Sequence, residues 1–357
     1  MNTLKVKTIF IRLGTACNMS CRHCSQLPVR VSSVKAERCS EELLDALVKW
    51  SKQDDYKRNI WFWGGEPLLY LDTIKDIVSR LEAKGADLNY TTTTNGLLLT
   101  QEVANYFNEH NFRVVMSYDA PNPTAVRQMV PSEENINAFL AIKNRNINTV
   151  FSPENCDLCA MIDCIKEKFP DTHISIGFMQ VMGPIPKDTY TYKKGSMLKE
   201  MRRAAERLTS GNDYDYTLFA WFRPRVKRWR AWGPLTRKSW LEEPLPPCGS
   251  GSNSVAFDLK GNYYPCHNGN ITLGTVKEPF EKLMEKTMKF WVSMIPEGCL
   301  KCEHLDMCRN RCPMAMRKGD CYEQCSFMKE YWAVTKQVAD EYGLFGESVW
   351  KNKEVNN

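Results

Sequence analysis

The hydrophobic pattern of residues 1–180 changes its period repeatedly. Short apolar runs have the length of buried strands, and longer segments between them carry apolar residues at helical spacing. The first helical segment follows Ser40, a preferred N-cap residue. The predicted strands are 8–13, 60–63, 88–94, 113–117, 149–151 and 174–179. The predicted helices are 41–50, 72–84, 101–109, 133–143 and 157–168.

This alternation predicts an α/β fold with a parallel sheet, because successive parallel strands need a crossover helix. Special residues follow the predicted strands: a cysteine loop after the first, Gly64-Gly65-Glu66-Pro67 after the second and Asn95-Gly96 after the third. In parallel barrels and open α/β sheets, the carboxyl ends of the strands carry the functional site. We therefore expect the site at this edge.

The pattern stops near residue 210, which divides the chain into four predicted parts. These are a barrel domain at 1–210, an aromatic and basic bridge at 211–247, a cysteine-rich domain at 248–327, and a closing helix with a tail at 328–357. The stretch 221–240 contains seven Lys or Arg residues and no Asp or Glu. Packing between domains and binding of an acidic peptide are equally favoured there, and single-stranded nucleic acid ranks last.

Composition restricts the protein class. The chain has 357 residues, a net charge of +6 and 15 cysteines, an odd number that argues against a secreted disulfide framework. The start of the sequence has no signal peptide, and no stretch approaches the length of a membrane span. We expect a cytoplasmic protein whose cysteines stay reduced or bind metal.

The loop T-A-C-N-M-S-C-R-H-C contains Cys17, Cys21 and Cys24. A core helix does not suit the glycine and asparagine of this segment, and a structural zinc site needs four ligands. His23 could be a fourth ligand, but its place between two cysteines would strain the loop. Three thiolates on a four-iron cluster would leave one iron open to a substrate or cofactor.

This C-x3-C-x2-C loop after the first strand resembles that of the radical S-adenosylmethionine (radical SAM) enzymes. The resemblance implies a partial (β/α)6 TIM-like barrel and a [4Fe–4S] cluster whose open iron binds SAM. Reductive cleavage of SAM would then give a 5′-deoxyadenosyl radical that abstracts a hydrogen atom.

Further motifs of the same family follow in order. The resemblance assigns G-G-E-P to the SAM amino group, T-N-G to the next strand end, S-x-D to the ribose and an arginine to the SAM carboxylate. The His-Asp pair that often precedes this arginine is missing, so its assignment is the weaker one. The residues carried over are Gly64, Gly65, Glu66, Pro67, Thr94, Asn95, Ser117, Asp119 and Arg127.

The second cysteine group resembles the SPASM domain, which carries two auxiliary four-iron clusters in many peptide-modifying radical SAM enzymes. A zinc ribbon is the alternative, but only one true C-x2-C pair is present in this group. The resemblance assigns the inner cluster to Cys248, Cys266 and Cys312. It assigns the outer cluster to Cys299, Cys302, Cys308 and Cys325, with Cys321 as an alternative ligand. Three clusters are therefore expected in the chain, and the inner one lacks an evident fourth ligand.

Four further cysteines and one histidine each allow two interpretations. Cys156, Cys159 and Cys164 are interpreted as packing residues in preference to a third metal site, and Cys39 as structural. His267 follows Cys266, where the anaerobic sulfatase-maturing enzymes carry an aspartate proposed as a base. His267 is the predicted catalytic base, with a supporting role beside a cluster as the alternative.

The resemblance favours a maturase that acts on a ribosomally made precursor peptide, giving a cross-link or another modification. A sulfatase-maturase-like protein oxidase and a small-molecule dehydrogenase are alternatives, and a metal-bearing nucleic-acid-binding protein is a distant one. The positive charge favours an acidic peptide. The expected partner for reduction is an electron donor such as flavodoxin or ferredoxin. Because only 16 residues precede Cys17, leader recognition is expected from the bridge, from the C-terminal domain or from a separate leader-binding protein.

Overall fold

The computed structural model describes most of the chain in separate ranges. These are residues 6–24, 26, 29–35, 37–53, 55–152, 155–178, 196–210, 216–231, 253–294, 297–302 and 321–346. The strands are β1 (Thr8–Gly14), β2 (Arg58–Gly64), β3 (Leu88–Thr94), β4 (Arg113–Ser117), β5 (Arg145–Phe151), β6 (His173–Phe178), β7 (Ser254–Asp258), β8 (Asn262–Tyr264) and β9 (Gly274–Thr275). The first helices are α1 (Glu41–Ser51), α2 (Leu71–Ala83), α3 (Gln101–Glu109), α4 (Pro123–Val126), α5 (Glu133–Leu140) and α6 (Leu158–Lys168). The later helices are α7 (Ser196–Ser210), α8 (Tyr216–Ala231), α9 (Phe280–Ser293), α10 (Glu297–Leu300) and α11 (Cys321–Glu341).

The nine strands within the described ranges belong to one sheet with the order β6-β5-β4-β3-β2-β1-β7-β8-β9. Strands β1 to β6 are parallel, and each pairs with its neighbour in the chain. The predicted α/β fold with six parallel strands is therefore confirmed. The carboxyl ends of these six strands lie at one edge of the sheet, as the sequence predicted.

Strand β7 was not predicted to join this sheet. It pairs in parallel with β1, with Phe10 opposite Ala256 and Arg12 opposite Asp258. Strands β8 and β9 continue the sheet in antiparallel orientation. The start of the cysteine-rich part is thus attached directly to the first strand of the barrel.

The two faces of the sheet differ. In β1 the buried side chains Ile9, Ile11 and Leu13 share a hydrophobic core with α1, which begins after the predicted N-cap Ser40. The alternate side chains of β1, including Phe10 and Arg12, are half-buried on the opposite face. Arg12 on this opposite face lines one of the cavities described below.

Some predicted bounds were wrong by several residues. Helix α5 ends at Leu140 instead of 143, β5 begins at Arg145 instead of 149, and the closing helix begins at Cys321 instead of 328. Within the predicted bridge, α8 is helical, and its Trp221 is buried near Tyr331 with ring centroids 6.3 Å apart. Packing therefore accounts for this tryptophan, while 232–247, including Trp240, lies outside the described residues.

None of the helices in the described ranges is long and apolar enough to cross a membrane.

Candidate functional site

A cavity of about 240 Å³ lies at the carboxyl ends of the parallel strands. Its wall includes all three cysteines of the first loop, Cys17, Cys21 and Cys24. It also includes seven of the nine predicted cofactor residues, which are Gly64, Gly65, Glu66, Thr94, Asn95, Ser117 and Arg127. Pro67 and Asp119 are buried and do not line the cavity. The sequence motifs thus converge on one place.

Two glycines let the cysteine loop approach the end of β2 closely. The backbone N–H of Gly65 donates to the carbonyl of Gly14 at 3.0 Å, and that of Glu66 donates to the carbonyl of Ala16 at 2.9 Å. A Cβ atom on Gly64 would lie 2.6 Å from the Gly14 carbonyl oxygen. A Cβ atom on Gly65 would lie 2.2 Å from that of Ala16. The glycine pair is therefore required by contact between two backbone segments.

The three thiols are protected from water to different degrees. Cys21 is buried, and Cys17 and Cys24 are half-buried. Burial raises the pKa of both Cys17 and Cys21, so these thiols hold their protons unless a metal replaces them. Within the described ranges, no three histidine, cysteine or carboxylate side chains come together closely enough to hold one metal ion. Three cysteine thiols on one cavity wall are a donor set that suits a polynuclear iron–sulfur cluster, in which each cysteine binds a different iron.

Glu66 joins the ends of β2 and β3. Its side chain is 1% exposed, and its Oε1 accepts hydrogen bonds from the Thr94 hydroxyl at 2.7 Å and the Leu68 N–H at 3.0 Å. Its Oε2 accepts a hydrogen bond from the Asn95 N–H at 2.7 Å. Burial raises the pKa of Glu66, and these three donors and the charge of Arg127 oppose the rise. The carboxylate is thus occupied by the protein, while the residue still borders the cavity.

Asn95 links the same turn to the cysteine loop. Its side-chain Nδ2 donates to Asn18 Oδ1 at 2.7 Å, and its Oδ1 accepts from the Leu97 N–H at 3.0 Å. The turn after β3, the turn after β2 and the cysteine loop are therefore connected by hydrogen bonds.

Arg127 lies between an acidic residue and the cysteines. Its Nε donates to Asp119 Oδ2 at 2.6 Å, and its Nη1 lies 3.9 Å from Cys21 Sγ. Asp119 is fully buried, and its Oδ1 accepts from the Val150 N–H at 2.8 Å. His23 Nε2 lies 3.6 Å from Asp119 Oδ2. The structure thus places Asp119 behind Arg127, where it fixes the guanidinium beside the cysteine loop.

The sequence did not identify Arg30 as a site residue. Arg30 lines the cavity, and its Nη1 donates to the Met19 carbonyl inside the cysteine loop. Its charge acts on Cys17 and Cys21, against the effect of burial on the pKa of each thiol. The only feature of the sequence that could have indicated this role of Arg30 is its position close to the three cysteines of the first loop.

The loop after β8 closes one side of the site. The side-chain oxygen of Asn268 accepts from Trp63 Nε1 at 2.9 Å and Gln26 Nε2 at 3.3 Å. The Asn268 N–H lies 3.4 Å from Cys266 Sγ. Trp63 and Gln26 both line the cavity, so Asn268 connects a predicted auxiliary-cluster ligand to the first cysteine loop region.

His267 packs in a ring cluster. Its imidazole stacks on Phe10 at 4.3 Å and meets Trp63 edge-on at 4.6 Å. Burial, with the nearby charge of Arg12, lowers the pKa of His267 to about 4. The ring is therefore neutral at pH 7, and its role as a base stays a prediction.

The predicted auxiliary-cluster ligands are described only in part. Cys266 is buried, and Cys299 and Cys302 are half-buried with the Cys302 N–H donating to the Cys299 carbonyl at 3.1 Å. Cys321 and Cys325 lie on α11. Three further ligands lie outside the described residues: Cys248, Cys308 and Cys312.

The remaining cysteines pack against the core. Cys159 is buried in it, Cys156 and Cys164 lie at its edge, and burial raises the pKa of Cys39 to about 12. This placement agrees with the packing interpretation of all four.

Comparison with known proteins identifies the class of this site. Residues 11–158 match the family model of the Radical SAM superfamily. This part of the chain, which contains the cysteine loop and the turns that surround it, is similar to radical SAM domains.

Two curated relatives are similar in sequence. The radical SAM cyclopropyl synthase TigE of Paramaledivibacter caminithermalis is 25% identical over 33% of this chain, and the match spans only 28% of that protein. The serine-type anaerobic sulfatase-maturating enzyme of Bacteroides thetaiotaomicron is 22% identical over 84% of this chain and 81% of its own length.

Solved structures share the fold. A structure of native anSMEcpe with bound AdoMet has a TM-score of 0.63 at 19% identity, covering 94% of this chain and 99% of that one. Streptococcus suis SuiB bound to the precursor peptide SuiA has a TM-score of 0.55 at 14% identity, covering 89% of this chain and 76% of that one. At this level of identity the likeness concerns the fold alone.

Proposed function

We propose that the chain is a radical SAM peptide maturase, which modifies an unactivated C–H position of a ribosomally made peptide. The observation that carries the proposal is the convergence of Cys17, Cys21 and Cys24 with the Gly64–Glu66 turn and Arg127 on one cavity. Cys17, Cys21 and Cys24 would hold a [4Fe–4S] cluster there, and this cluster would supply the electron for cleavage of SAM to methionine and a 5′-deoxyadenosyl radical, which would take a hydrogen atom from the peptide.

The residues of the cavity have distinct proposed roles toward SAM. The backbone of Gly64 and Gly65 faces the cavity, where its carbonyls can accept from the SAM ammonium group. Arg127 offers a cation to the SAM carboxylate, with Asp119 as its positioning residue. Ser117 borders the cavity and is the proposed ribose contact. Glu66, Thr94 and Asn95 hold the turns in place through their mutual hydrogen bonds.

The cysteine-rich part is proposed to hold two auxiliary [4Fe–4S] clusters with the ligands predicted above. Their proposed task is to relay an electron to or from the substrate radical or to bind substrate. The contact of Asn268 with both Cys266 and Trp63 supports a short connection between this part and the radical site.

The proposed partners follow from the hypothesis that the substrate is a ribosomally made peptide. They are an acidic precursor peptide, a flavodoxin or ferredoxin as electron donor, and a separate leader-binding protein, in the cytoplasm. The structural likeness to SuiB, which was solved with its precursor peptide, supports a peptide as substrate.

A second candidate is a sulfatase-maturase-like protein oxidase, which would oxidise the alcohol of a serine side chain to an aldehyde by removing two hydrogen atoms. The match to the Bacteroides enzyme over most of both chains favours it. His267 occupies the position where an aspartate base is expected in those enzymes, and its low pKa makes it a weak base at neutral pH. A hydrazide probe would capture an aldehyde product and leave a cross-linked peptide untouched.

The test of the radical SAM reading is an iron and SAM-cleavage assay after reconstitution without oxygen. Three clusters predict about 12 iron atoms per chain, falling to about 8 when Cys17, Cys21 and Cys24 are all changed to Ala. The triple variant should release no 5′-deoxyadenosine under dithionite. Cys164→Ala is the matched control, because this thiol lies on α6 away from the cavity. Continued SAM cleavage by the triple variant would overturn the proposal.

A further inference from the structure

A second cavity of about 350 Å³ adjoins the first. Gln26, Trp63 and Gly64 line both, so the two spaces meet at the end of β2. The second cavity extends along β1 and β7, and its wall includes Arg12. A molecule lying there would be next to the site of SAM binding proposed above.

Arg12 is the unusual residue of this wall. Its guanidinium carbon lies 4.0 Å from the centroid of the Tyr264 ring. Its Nη1 is buried, and within the described ranges no acceptor lies in hydrogen-bond reach of it. A buried donor without an acceptor lowers the stability of the fold, and the cost is greater when the group is charged. The structure therefore holds a guanidinium with one buried nitrogen, Nη1, that makes no hydrogen bond within the described ranges.

Asp258 is the acidic neighbour of Arg12 in the sheet register, but its oxygens are occupied. Its Oδ1 accepts from the N–H groups of Lys260 at 3.0 Å and Asn262 at 2.9 Å. Its Oδ2 accepts from Asn262 Nδ2 at 2.9 Å and from the Tyr264 hydroxyl at 3.0 Å. Asp258 thus fixes the Tyr264 side chain, and its charge acts on Arg12 without a hydrogen bond between the two within the described ranges.

This arrangement orients the guanidinium. Asp258 holds Tyr264, and the ring of Tyr264 supports the face of Arg12 by a cation–π contact. Such a contact uses the face of the guanidinium and leaves its in-plane N–H groups for another partner. A planar fork of donors at a cavity wall matches the geometry of a carboxylate.

We propose that Arg12 binds a carboxylate of the substrate, so that an acidic side chain of the peptide occupies the second cavity beside the residue to be modified. This inference rests on the proposed function, because it assigns a substrate class to the same site. A carboxylate with one negative charge suits the cavity better than a phosphate dianion, because Asp258 and Glu37 at the same wall already carry negative charge. Lys35 and Glu37 are both exposed at this wall, and their opposite charges offset each other.

The test compares two probe peptides, acetyl-Ala-Ala-Glu-Ala-Ala-amide and its Gln counterpart. Each is titrated into the reconstituted full-length protein with SAM, and the dissociation constant is measured by calorimetry or by broadening of the probe's NMR signals. The Glu peptide should bind at least ten-fold more tightly than the Gln peptide. Arg12→Gln should remove this discrimination, and Arg12→Lys should retain part of it. Lys289→Gln removes an exposed cation on α9 and should leave the discrimination as it is.

Equal affinity for the two probes, or a preference that survives in Arg12→Gln, would overturn the inference. Arg12 also lies within electrostatic range of Cys266, so the potentials of the clusters are measured in the same variants. The reduction potential of a cluster could shift in Arg12→Gln while the wild type binds both probe peptides equally. This result would show that Arg12 tunes the cluster and would reject its role in substrate binding. SAM cleavage by the wild type without peptide is measured separately. If SAM is not cleaved but the Glu peptide still binds more tightly than the Gln peptide, the radical function is rejected and the carboxylate site is retained.

Discussion

Glu66 Oε2 accepts a hydrogen bond of 2.7 Å from the backbone N–H of Asn95, across the turns that end β2 and β3. Both residues are buried, and the other carboxylate oxygen of Glu66, Oε1, accepts hydrogen bonds from the Thr94 hydroxyl and the Leu68 N–H. Asn95 in turn bonds to Asn18 in the cysteine loop. The three segments around the cavity therefore keep a fixed relation to one another, which favours a preformed site for SAM.

Glu66→Ala should weaken SAM binding by at least ten-fold. The change leaves three donors around a small void, and each buried donor without a partner costs about 1–3 kcal/mol. The measurement is equilibrium dialysis of SAM with the reconstituted protein. Thr94→Val removes only one of the three bonds and should have a smaller effect. Wild-type affinity in Glu66→Ala would show that the turns do not depend on this carboxylate.

Asp119→Asn should raise the KM for SAM about ten-fold with a smaller change in kcat. The amide cannot accept from both Arg127 Nε and the Val150 N–H, so the guanidinium loses its fixed position. The readout is 5′-deoxyadenosine release at several SAM concentrations. Arg127→Lys, which keeps the charge but loses the planar fork, should show the same KM effect. An equal fall in kcat with unchanged KM would contradict a positioning role.

Gly65→Ala should destabilise the protein by at least about 2 kcal/mol, because the new Cβ would lie 2.2 Å from a backbone oxygen that cannot move independently. The shift in thermal unfolding measures the effect. Gly298→Ala is the control, since within the described ranges no atom beyond its chain neighbours and its own helix backbone lies within 4 Å of the added Cβ, and alanine favours its helix. Similar stability of the two variants would mean that the cysteine loop can withdraw from β2 at little cost.

Cys302→Ala should reduce the iron content by about four atoms and stop product formation, while SAM cleavage stays measurable. The physical reason is that the radical is generated at the first cavity, and the proposed relay lies in the cysteine-rich part. The assay needs the peptide product and 5′-deoxyadenosine from the same reaction. Product formation at the wild-type rate would reject the relay.

Alkaline pH should destabilise the wild type through Tyr263. Burial raises its pKa to about 12, and the Thr287 hydroxyl 2.6 Å away partly opposes this. The protonated form is favoured in the fold, so its stabilisation is complete below pH 10 and is lost between pH 10 and 12. The loss amounts to about 2–3 kcal/mol in total. Tyr263→Phe should be less stable at pH 8 but should lose less on going to pH 11, as followed by denaturant unfolding. Parallel pH profiles for both proteins would contradict this assignment.

The sequence predicted the part of the fold that depends on local pattern. Strands β1 to β4 and helices α1 to α3 lie within two residues of their predicted bounds, because each has a clear hydrophobic period and a polar break after it. The cavity at the strand ends was also predictable, since Cys17, Gly65 and Thr94 belong to motifs with fixed positions relative to those strands.

Contacts between distant segments were not predictable. Asn268 reaches Trp63 and Gln26, and Arg12 rests on Tyr264, although more than 200 positions separate the partners in each case. Strand β7 looks like any short apolar segment in the sequence, and only tertiary pairing reveals its place beside β1. Arg30 and Arg12 resemble ordinary surface cations until burial is known.

The pairing of β1 with β7 also has a consequence for synthesis on the ribosome. Thr8 pairs with Ser254, so β1 cannot pair with β7 until almost 250 further residues have been translated. At typical rates of 5–20 residues per second, this takes roughly 12–50 s. During that time one edge of β1 is open to pairing with other chains, which makes nascent protein prone to aggregate. Slower translation or chaperone depletion should therefore lower the yield of full-length protein more than it lowers the yield of a chain whose first strand is paired early.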